Sequence, residues 1–293
     1  MKAGDASLAH IVKQITGRAT TQYATSPLGG GCINQALKLT IGEQAYFVKL
    51  NQADSFAMFD NEVDGLQALN AAHALRIPQV VCYGQFKSSA YLVLEFIPLT
   101  HHGDPQRAGR QLAALHRTTH DRHGWRRPNT LGATPQPNDW NGSWVDFWHD
   151  QRLGFQLQLA ATHGHRGPLQ TRGDRLLARL PDLLNHQPAP SLLHGDLWSG
   201  NFAYDDQGHP VIYDPAVYFG DRETDLAMTE LFGGFPNGFY DAYNEAWPLD
   251  AGYKTRKQLY NLYHILNHLN LFGGGYGQQA LTLIDRLLAE LED

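Results

Sequence analysis

The chain has 293 residues, 42% of them hydrophobic, enough to bury a sizeable core as one large domain or two lobes. A formal net charge of −6 argues against a nucleic-acid partner, and two cysteines, Cys32 and Cys82, exclude a disulfide framework. No apolar run reaches membrane-spanning length and the N-terminus lacks a secretory core, which predicts a cytoplasmic protein with no membrane partner.

Residues 7–16 carry Leu8, Ile11, Val12 and Ile15 on one helical face, with Gly17 placed to stop the helix. A glycine-rich approach, Pro27 to Asn34, leads into two alternating runs joined at Gly42-Glu43, a β-hairpin. Gly29, Gly30 and Gly31 would let backbone N–H groups close over phosphates, or simply form a flexible loop. The pattern matches neither GxGxxG nor GxxxxGK[ST], which leaves open which amides would touch phosphate. Cys32, in the same loop, is either a redox-sensitive thiol or an inert small residue.

Lys49 falls on the second hairpin strand between Val48 and Leu50, where a buried ammonium needs an anionic partner. Glu62 lies on a helix predicted from Ser55 to Leu75, at the edge of a stripe formed by Phe59, Val63, Leu66 and Leu69. Val80–Tyr83 and Tyr91–Ile97 read as strands, the second continuously apolar and hence interior. A lobe boundary is expected near residue 98, with a sheet-rich 1–98 and a helical 99–293.

Residues 124–142 are rich in Gly, Pro and Asn and read as the longest irregular stretch, with Trp140 a candidate substrate wall. A helix follows from about Ser143 to Ala161, its Trp144 and Trp148 more suited to core. Another, marked by Leu176, Leu177, Leu180 and Leu184, ends before Pro188.

The densest chemistry lies in LLHGDLWSGNFAYDDQGHPVIYDPAVYFGDRETDLA, residues 192–227. Asp196 follows a short apolar strand. Asn201 comes five residues later, and a hairpin turning at residues 205–208 delivers Asp214. Phosphoryl transfer from ATP asks mainly for positioning and charge neutralisation. One carboxylate must meet the acceptor hydroxyl, a role open to Asp196. Two oxygen donors must hold Mg²⁺ against the triphosphate, a role open to Asn201 and Asp214.

This run resembles the catalytic and metal-binding segments of protein-kinase-like enzymes, with HGD in place of HRD and DPA in place of DFG. The wording HGDLWSGN and DPAVYFGDRETDLAMTELFGGF, with NTLGATPQPNDWNGSWVDFWHDQRLGFQLQLA at 129–160, is similar to the fructosamine kinase (ketosamine-3-kinase) family. The resemblance implies a bilobal α+β fold and an ATP- and Mg²⁺-dependent kinase acting on O3 of ketoamines, free or on glycated protein. It also implies that Lys49 with Glu62 steadies the ATP phosphates and that Glu95, Phe96 and Ile97 form an adenine-binding hinge. Asp225 would support the catalytic-loop backbone, and Trp198 and His268 would lie beside the acceptor.

His268 belongs to a helix predicted over residues 254–272, whose Asn261, His264 and Asn267 share a face that is either solvated or lines a sugar pocket. Alternatives are a related aminoglycoside, choline or sugar kinase, or a silent nucleotide-binding module. Whether the chain is a monomer or a homodimer is open.

Overall fold

The computed structural model describes residues 3–29 and 34–292. Helix α1 (Ala3–Thr16) and strands β1 (Ala24–Pro27), β2 (Gln35–Ile41) and β3 (Gln44–Gln52) open the chain. Ile11 and Val12 of α1 bury against Leu37, Leu39 and Val48, forming a small core of their own on one sheet face. Strand β1 was not expected: all four of its residues are exposed, so no alternation marks it.

Helix α2 (Phe56–Ala71) follows, then β4 (Val80–Phe86) and β5 (Ser89–Glu95). The five strands form an antiparallel sheet in the order β1-β2-β3-β5-β4. The apolar run at 91–94 lies in β5, interior as its burial pattern requires, and it ends at Glu95 rather than Ile97. In this register Lys49 pairs with Ala36 on one side and Leu92 on the other. The apolar stripe of α2 is buried, and the helix ends at Ala71, short of the predicted Leu75. A Cβ on Gly65 would meet Pro215 and Val217 at 3.2 and 3.3 Å, so α2 lies directly on the segment after Asp214.

Beyond residue 98 the chain is mainly helical. Helix α3 (Pro105–His116) starts at Asp104, whose side chain accepts from the amides of Gln106 and Arg107, with Pro105 in the first turn where its missing N–H costs nothing. The stretch 124–142 is not irregular throughout. It contains a hairpin, β6 (Asn129–Leu131) and β7 (Thr134–Gln136), fixed by buried side-chain bonds. Gln136 Nε2 donates to Asn129 Oδ1 at 2.8 Å and to the Ala216 carbonyl at 3.1 Å, while Asn129 Nδ2 donates to the Val217 carbonyl at 2.8 Å.

The helix expected over 143–161 is α4 (Trp144–Trp148) and α5 (Gly154–Thr162) joined by one π turn. Gly154 permits the turn, because its amide donates to the His149 carbonyl and a Cβ there would stand 2.3 Å from that oxygen. Helices α6 (Pro168–Ala178) and α7 (Leu180–Leu183) lead to the short strands β8 (Ser191–Leu193), β9 (Phe202–Tyr204), β10 (Pro210–Ile212) and β11 (Tyr218–Gly220). β8 pairs with β11 and β9 with β10, both antiparallel. Helices α8 (Glu223–Leu231), α9 (Phe239–Ala246), α10 (Tyr253–Phe272) and α11 (Tyr276–Ala289) complete the chain.

The larger core runs from the inner face of α2 through the tryptophans of α4 to Leu259, Leu262 and Leu266 of α10, so the sheet and the helices share apolar contacts rather than merely adjoining. Among the described residues no helix is long and apolar enough to cross a membrane.

Candidate active site

Strand β8 ends at Leu193, and the chain turns sharply through His194 and Gly195 to present Asp196. Two amides of the turn point at one side chain: His194 N and Gly195 N donate to the two oxygens of Asp225 at 2.7 and 2.9 Å. Burial alone would raise the Asp225 pKa, but the His116 ring at 3.2 Å and these donors hold it below the usual carboxylate range. His194 is buried and burial lowers its pKa, so it is neutral. Its Nε2 donates to the Tyr213 carbonyl at 2.9 Å and its Nδ1 accepts from the Asp196 amide at 3.3 Å. That fixes the tautomer and ties the turn to the strand that delivers Asp214.

Gly195 has φ +82°, and a Cβ would lie 2.0 Å from the Ala216 carbonyl oxygen. This close approach explains why glycine stands between His194 and Asp196. Ala216 N in turn donates to the His194 carbonyl at 2.8 Å. The turn and the segment after Asp214 are thus locked backbone to backbone.

Asn201 reaches back to Asp196. Its Nδ2 donates to the Asp196 carbonyl at 2.8 Å and to Asp196 Oδ2 at 3.1 Å. The backbone bond from Tyr213 N to the Asn201 carbonyl, 3.2 Å, closes the β9–β10 hairpin and sets Asp214 beside Asn201. Asp214 has φ +57°, a left-handed conformation that Asp tolerates better than most residues, and its side chain is 44% exposed. Burial, with the Asp214 charge second, pushes the Asp196 carboxyl up to about 7. An ordinary acid near 3.9 would be expected from residue type alone.

Lys49 joins the sheet to this cluster. Its Nζ lies 2.8 Å from Glu62 Oε1 and 2.5 Å from Asp214 Oδ1. Burial works against the ammonium, but the two carboxylates outweigh it and hold Lys49 above its ordinary range. One cation cannot fully compensate two acids. Glu62 is buried more deeply than Asp214, and burial and the Asp214 charge push its pKa up.

Helix α2 is itself held from below. Asp64 accepts from Trp125 Nε1 at 2.8 Å and pairs with the Arg126 guanidinium. Arg127 binds the Asp60 carboxylate at 2.7 Å and the Asp60 carbonyl at 2.5 Å. Glu62 therefore sits between two anchored residues.

Of the phosphate-loop candidates, Gly29 is exposed with open space around it, and Leu28 N closes the loop by donating to the Ala36 carbonyl at 3.0 Å. Gly30, Gly31 and Cys32 lie outside the described residues. At the end of β5, Glu95 pairs with Arg76 at 2.6 Å, Lys38 lies 4.5 Å from the Phe96 ring centroid, and Ile97 is buried.

Of the acceptor candidates, Trp198 is exposed and edge-on to Phe232 at 6.1 Å, and Phe232 lies 4.9 Å from the His268 ring. Trp140 stacks instead on His120 at 4.3 Å and faces Phe219 and Arg122, so its ring contacts lie outside this group. Asn261, His264 and Asn267 do not form a solvated face: all three are buried, and Asn267 accepts from Gln156 of α5 at 3.3 Å. Only His268 of that run stays partly open.

Sequence reasoning missed Phe232, His116, the Asp60 and Asp64 anchors, and Arg152. The last donates to Asn138 at 2.7 Å and to the Pro137 carbonyl at 2.7 Å beneath Tyr218. Aspartates flanking Glu62 and the Trp125-Arg126-Arg127 run were visible as charges, but nothing in their spacing paired them.

The donor set suits a hard divalent cation. Among the described residues the Asn201 amide oxygen accepts no hydrogen bond, and Asp214 adds a carboxylate open to solvent, the two oxygen types Mg²⁺ takes.

A model of the fructosamine kinase family matches residues 5–290. A Synechocystis protein assigned as a ketoamine kinase is 48% identical over 286 residues, 96% of each chain. The chloroplastic protein-ribulosamine 3-kinase of Arabidopsis thaliana is 40% identical over 281 residues, covering 94% of this chain and 86% of that one. Among solved structures, a Haemophilus somnus protein assigned as a fructosamine-3-kinase superposes with a TM-score of 0.87 at 31% identity, covering 96% of both chains. A ternary complex of the aminoglycoside phosphotransferase APH(4)-Ia with ADP and hygromycin B gives a TM-score of 0.64 at 16% identity over 97% and 98% of the two chains, a likeness of fold.

Proposed function

The chain belongs to the fructosamine kinase family, and from that premise we propose that it transfers the γ-phosphoryl group of ATP to O3 of a ketoamine, a sugar joined to an amine after rearrangement. The observation that carries this reading is the convergence of Asp196, Asn201, Asp214 and Lys49. Asn201 donates to Asp196 at 3.1 Å, Lys49 pairs with Asp214 at 2.5 Å, and the backbone bond from Tyr213 N to the Asn201 carbonyl at 3.2 Å draws the two pairs together.

Each group has a physical task. Lys49, kept charged and aimed by Glu62, steadies the triphosphate. Asn201 and Asp214 would hold Mg²⁺, whose chemistry is to neutralise the phosphate oxygens. Asp196 accepts a hydrogen bond from the acceptor hydroxyl and orients it for in-line attack. Little proton removal is needed early in a loose transition state, so orientation comes first. The raised Asp196 pKa brings the carboxylate closer to the pH at which a general base works best. The part of that rise due to Asp214 is cancelled once a cation is bound there.

Trp198 and His268 are proposed to bound the sugar. Glu95 to Ile97 are proposed to supply adenine contacts through their peptide groups, and Asp225 to hold the turn that presents Asp196. The product would carry phosphate on C3, next to the C2 ketone; loss of a C1 proton gives an enaminol that expels the C3 phosphate, and hydrolysis of the imine so formed releases the amine, so the reaction removes a glycation adduct.

The test is ADP formation with ribulosamine, erythrulosamine and fructosamine acceptors, against an aminoglycoside and choline. Turnover confined to one or more ketoamines is the expected result. Turnover of the aminoglycoside or choline alone would overturn the reading, and so would none with any acceptor.

A further inference from the structure

Where the start of β8, the turn before α8 and the loop from α9 to α10 meet, they enclose a cavity of about 200 Å³ that Ser191, Asp221, Arg222, Trp247 and Asp250 help to line. Its charged groups differ in how well they are matched. Asp221 is already satisfied, accepting from His186 Nε2 at 2.7 Å, the Tyr260 hydroxyl at 2.5 Å and the Glu223 amide at 3.0 Å. Arg222 is 7% exposed, yet it pairs with no carboxylate among the described residues. Its Nη1 donates to the Tyr243 hydroxyl at 3.1 Å and the Trp247 carbonyl at 2.9 Å, and its Nη2 to the Pro248 carbonyl at 2.5 Å. These bonds do not use all the N–H donors of a guanidinium. Asp250 is exposed, and its carboxylate has no partner among the described residues. One buried cation and one carboxylate thus line the same cavity without pairing with each other.

Arg222 also heads a chain of hydrogen bonds whose direction is fixed. A guanidinium can only donate, so the Tyr243 oxygen accepts and its hydrogen is left for His116 Nδ1 at 2.8 Å. In the neutral ring Nε2 then carries the hydrogen and donates to Asp225 Oδ2 at 3.2 Å. The Asp225 oxygens hold the amides of His194 and Gly195, the residues just before Asp196. Tyr243, His116 and Asp225 are all buried, where aligned bonds polarise one another.

We propose that this cavity is a regulatory site for a small α-amino acid, its carboxylate on Arg222 and its ammonium on Asp250, and that occupation slows phosphoryl transfer through the chain to Asp225. The space equals that of about seven waters at ~30 Å³ each, which fits an amino acid the size of alanine and excludes a nucleotide. A lone anion would meet Asp221 and Asp250, and a lone cation would meet Arg222, so a zwitterion is the chemistry that suits both. A carboxylate in the cavity draws Arg222 away from Tyr243 and loosens the bonds that fix Asp225, and with it the turn that presents Asp196. The effect on turnover rests on the kinase reading above; the binding does not.

The experiment titrates L-alanine into the full chain by calorimetry without nucleotide, with alaninamide and N-acetylalanine as probes that each lack one charge. Saturable alanine binding is expected, with each probe at least about tenfold weaker, the loss of one charged hydrogen bond. Asp250→Asn, a change on an exposed residue, should weaken alanine by a similar factor. At saturating ATP and acceptor, alanine should lower kcat about fivefold, the lower end of usual coupling between sites, and leave the KM for ATP little changed. Tyr243→Phe keeps the cavity and cuts the chain, so it should bind alanine and lose the response; His116→Gln cuts the chain one link further on and serves if Tyr243→Phe is unstable. No alanine binding, equal binding of the three probes, or unaltered binding in Asp250→Asn overturns the site. An unchanged kcat, or a response that survives in the chain variants, overturns the coupling. Failure of the kinase reading is separately visible as no ADP from any acceptor: it removes the coupling, while the calorimetry still decides the site.

Discussion

Replacing Gly195 by Ala adds one methyl group at the point where two backbone segments come closest. The new Cβ would lie 2.0 Å from the Ala216 carbonyl oxygen, well inside contact distance, on a residue at φ +82°. Neither partner yields cheaply. The Ala216 carbonyl accepts from Gln136 at 3.1 Å and the Ala216 amide donates to His194 at 2.8 Å, while Gly195 N is held by Asp225 at 2.9 Å. A non-glycine residue in the left-handed region costs roughly 1–2 kcal/mol. Relieving the clash by rotating residue 195 gives up a hydrogen bond to a buried carboxylate, about 1.5–3 kcal/mol. The expected loss is therefore about 3–5 kcal/mol of unfolding free energy, read from urea titrations followed by tryptophan fluorescence. Because Asp196 is the next residue, a shift of about 1 Å should also lower kcat by on the order of 10²-fold. A variant that loses less than about 1 kcal/mol and keeps its turnover would refute the argument that this contact dictates glycine.

Asp196→Ala should bind nucleotide normally while turnover falls by roughly 10²-fold or more; unimpaired turnover would remove Asp196 from its assigned task. Asp214→Ala should abolish the Mg²⁺-dependent part of ATP affinity by calorimetry, and an unchanged Mg²⁺ dependence would count against it as a ligand. Arg127→Ala frees α2 near Asp60, with an expected rise of several-fold in the KM for ATP; the check is whether Asp60→Arg with Arg127→Asp recovers it where either change alone does not. Burial lowers the His264 pKa to about 3 from an ordinary 6.5, so the stability its neutral form contributes is complete above 6.5 and declines as pH falls toward 3. Asp196 and Glu62, both raised, work in the opposite sense, so the informative quantity is the difference from His264→Gln, whose stability should fall less by up to about 1.4 kcal/mol per pH unit in that window; parallel curves would refute it.

The hairpin carrying Lys49 was legible because alternation has a period of two and a lysine inside it stands out. The 192–227 run was legible because three oxygen-bearing side chains fall there at short spacing around a hairpin. The long stretch at 124–142 was not, since Gly, Pro and Asn look the same whether a segment is loose or pinned. Its order comes partly from Asn129 and Gln136 bonding to carbonyls at least 80 residues away, partners that a local window does not contain. The polar face of α10 misled for a related reason. Amide and imidazole side chains register as polar, yet Asn267 is buried because Gln156 of another helix meets it.

The same buried polar groups tie helix α10 to the segment after Asp214. Tyr263 of α10 donates to Gln136 Oε1 at 2.7 Å, Gln136 donates to the Ala216 carbonyl, and Ala216 lies two residues from Asp214. Arg152 closes the network through Asn138 and covers the Tyr218 ring at 4.0 Å. Polar bonds inside a core add little net stability, but they are directional where apolar packing is not. A slip of α10 by a fraction of a turn would break Tyr263 from Gln136 and leave both polar groups unpaired. His268 lies on the same helix, five residues further on, so its place against Phe232 is held by bonds made more than one turn away. On this argument the helix that carries His268 and Phe272 cannot drift relative to Asp214 without exposing that cost, which is what a reaction controlled by positioning requires.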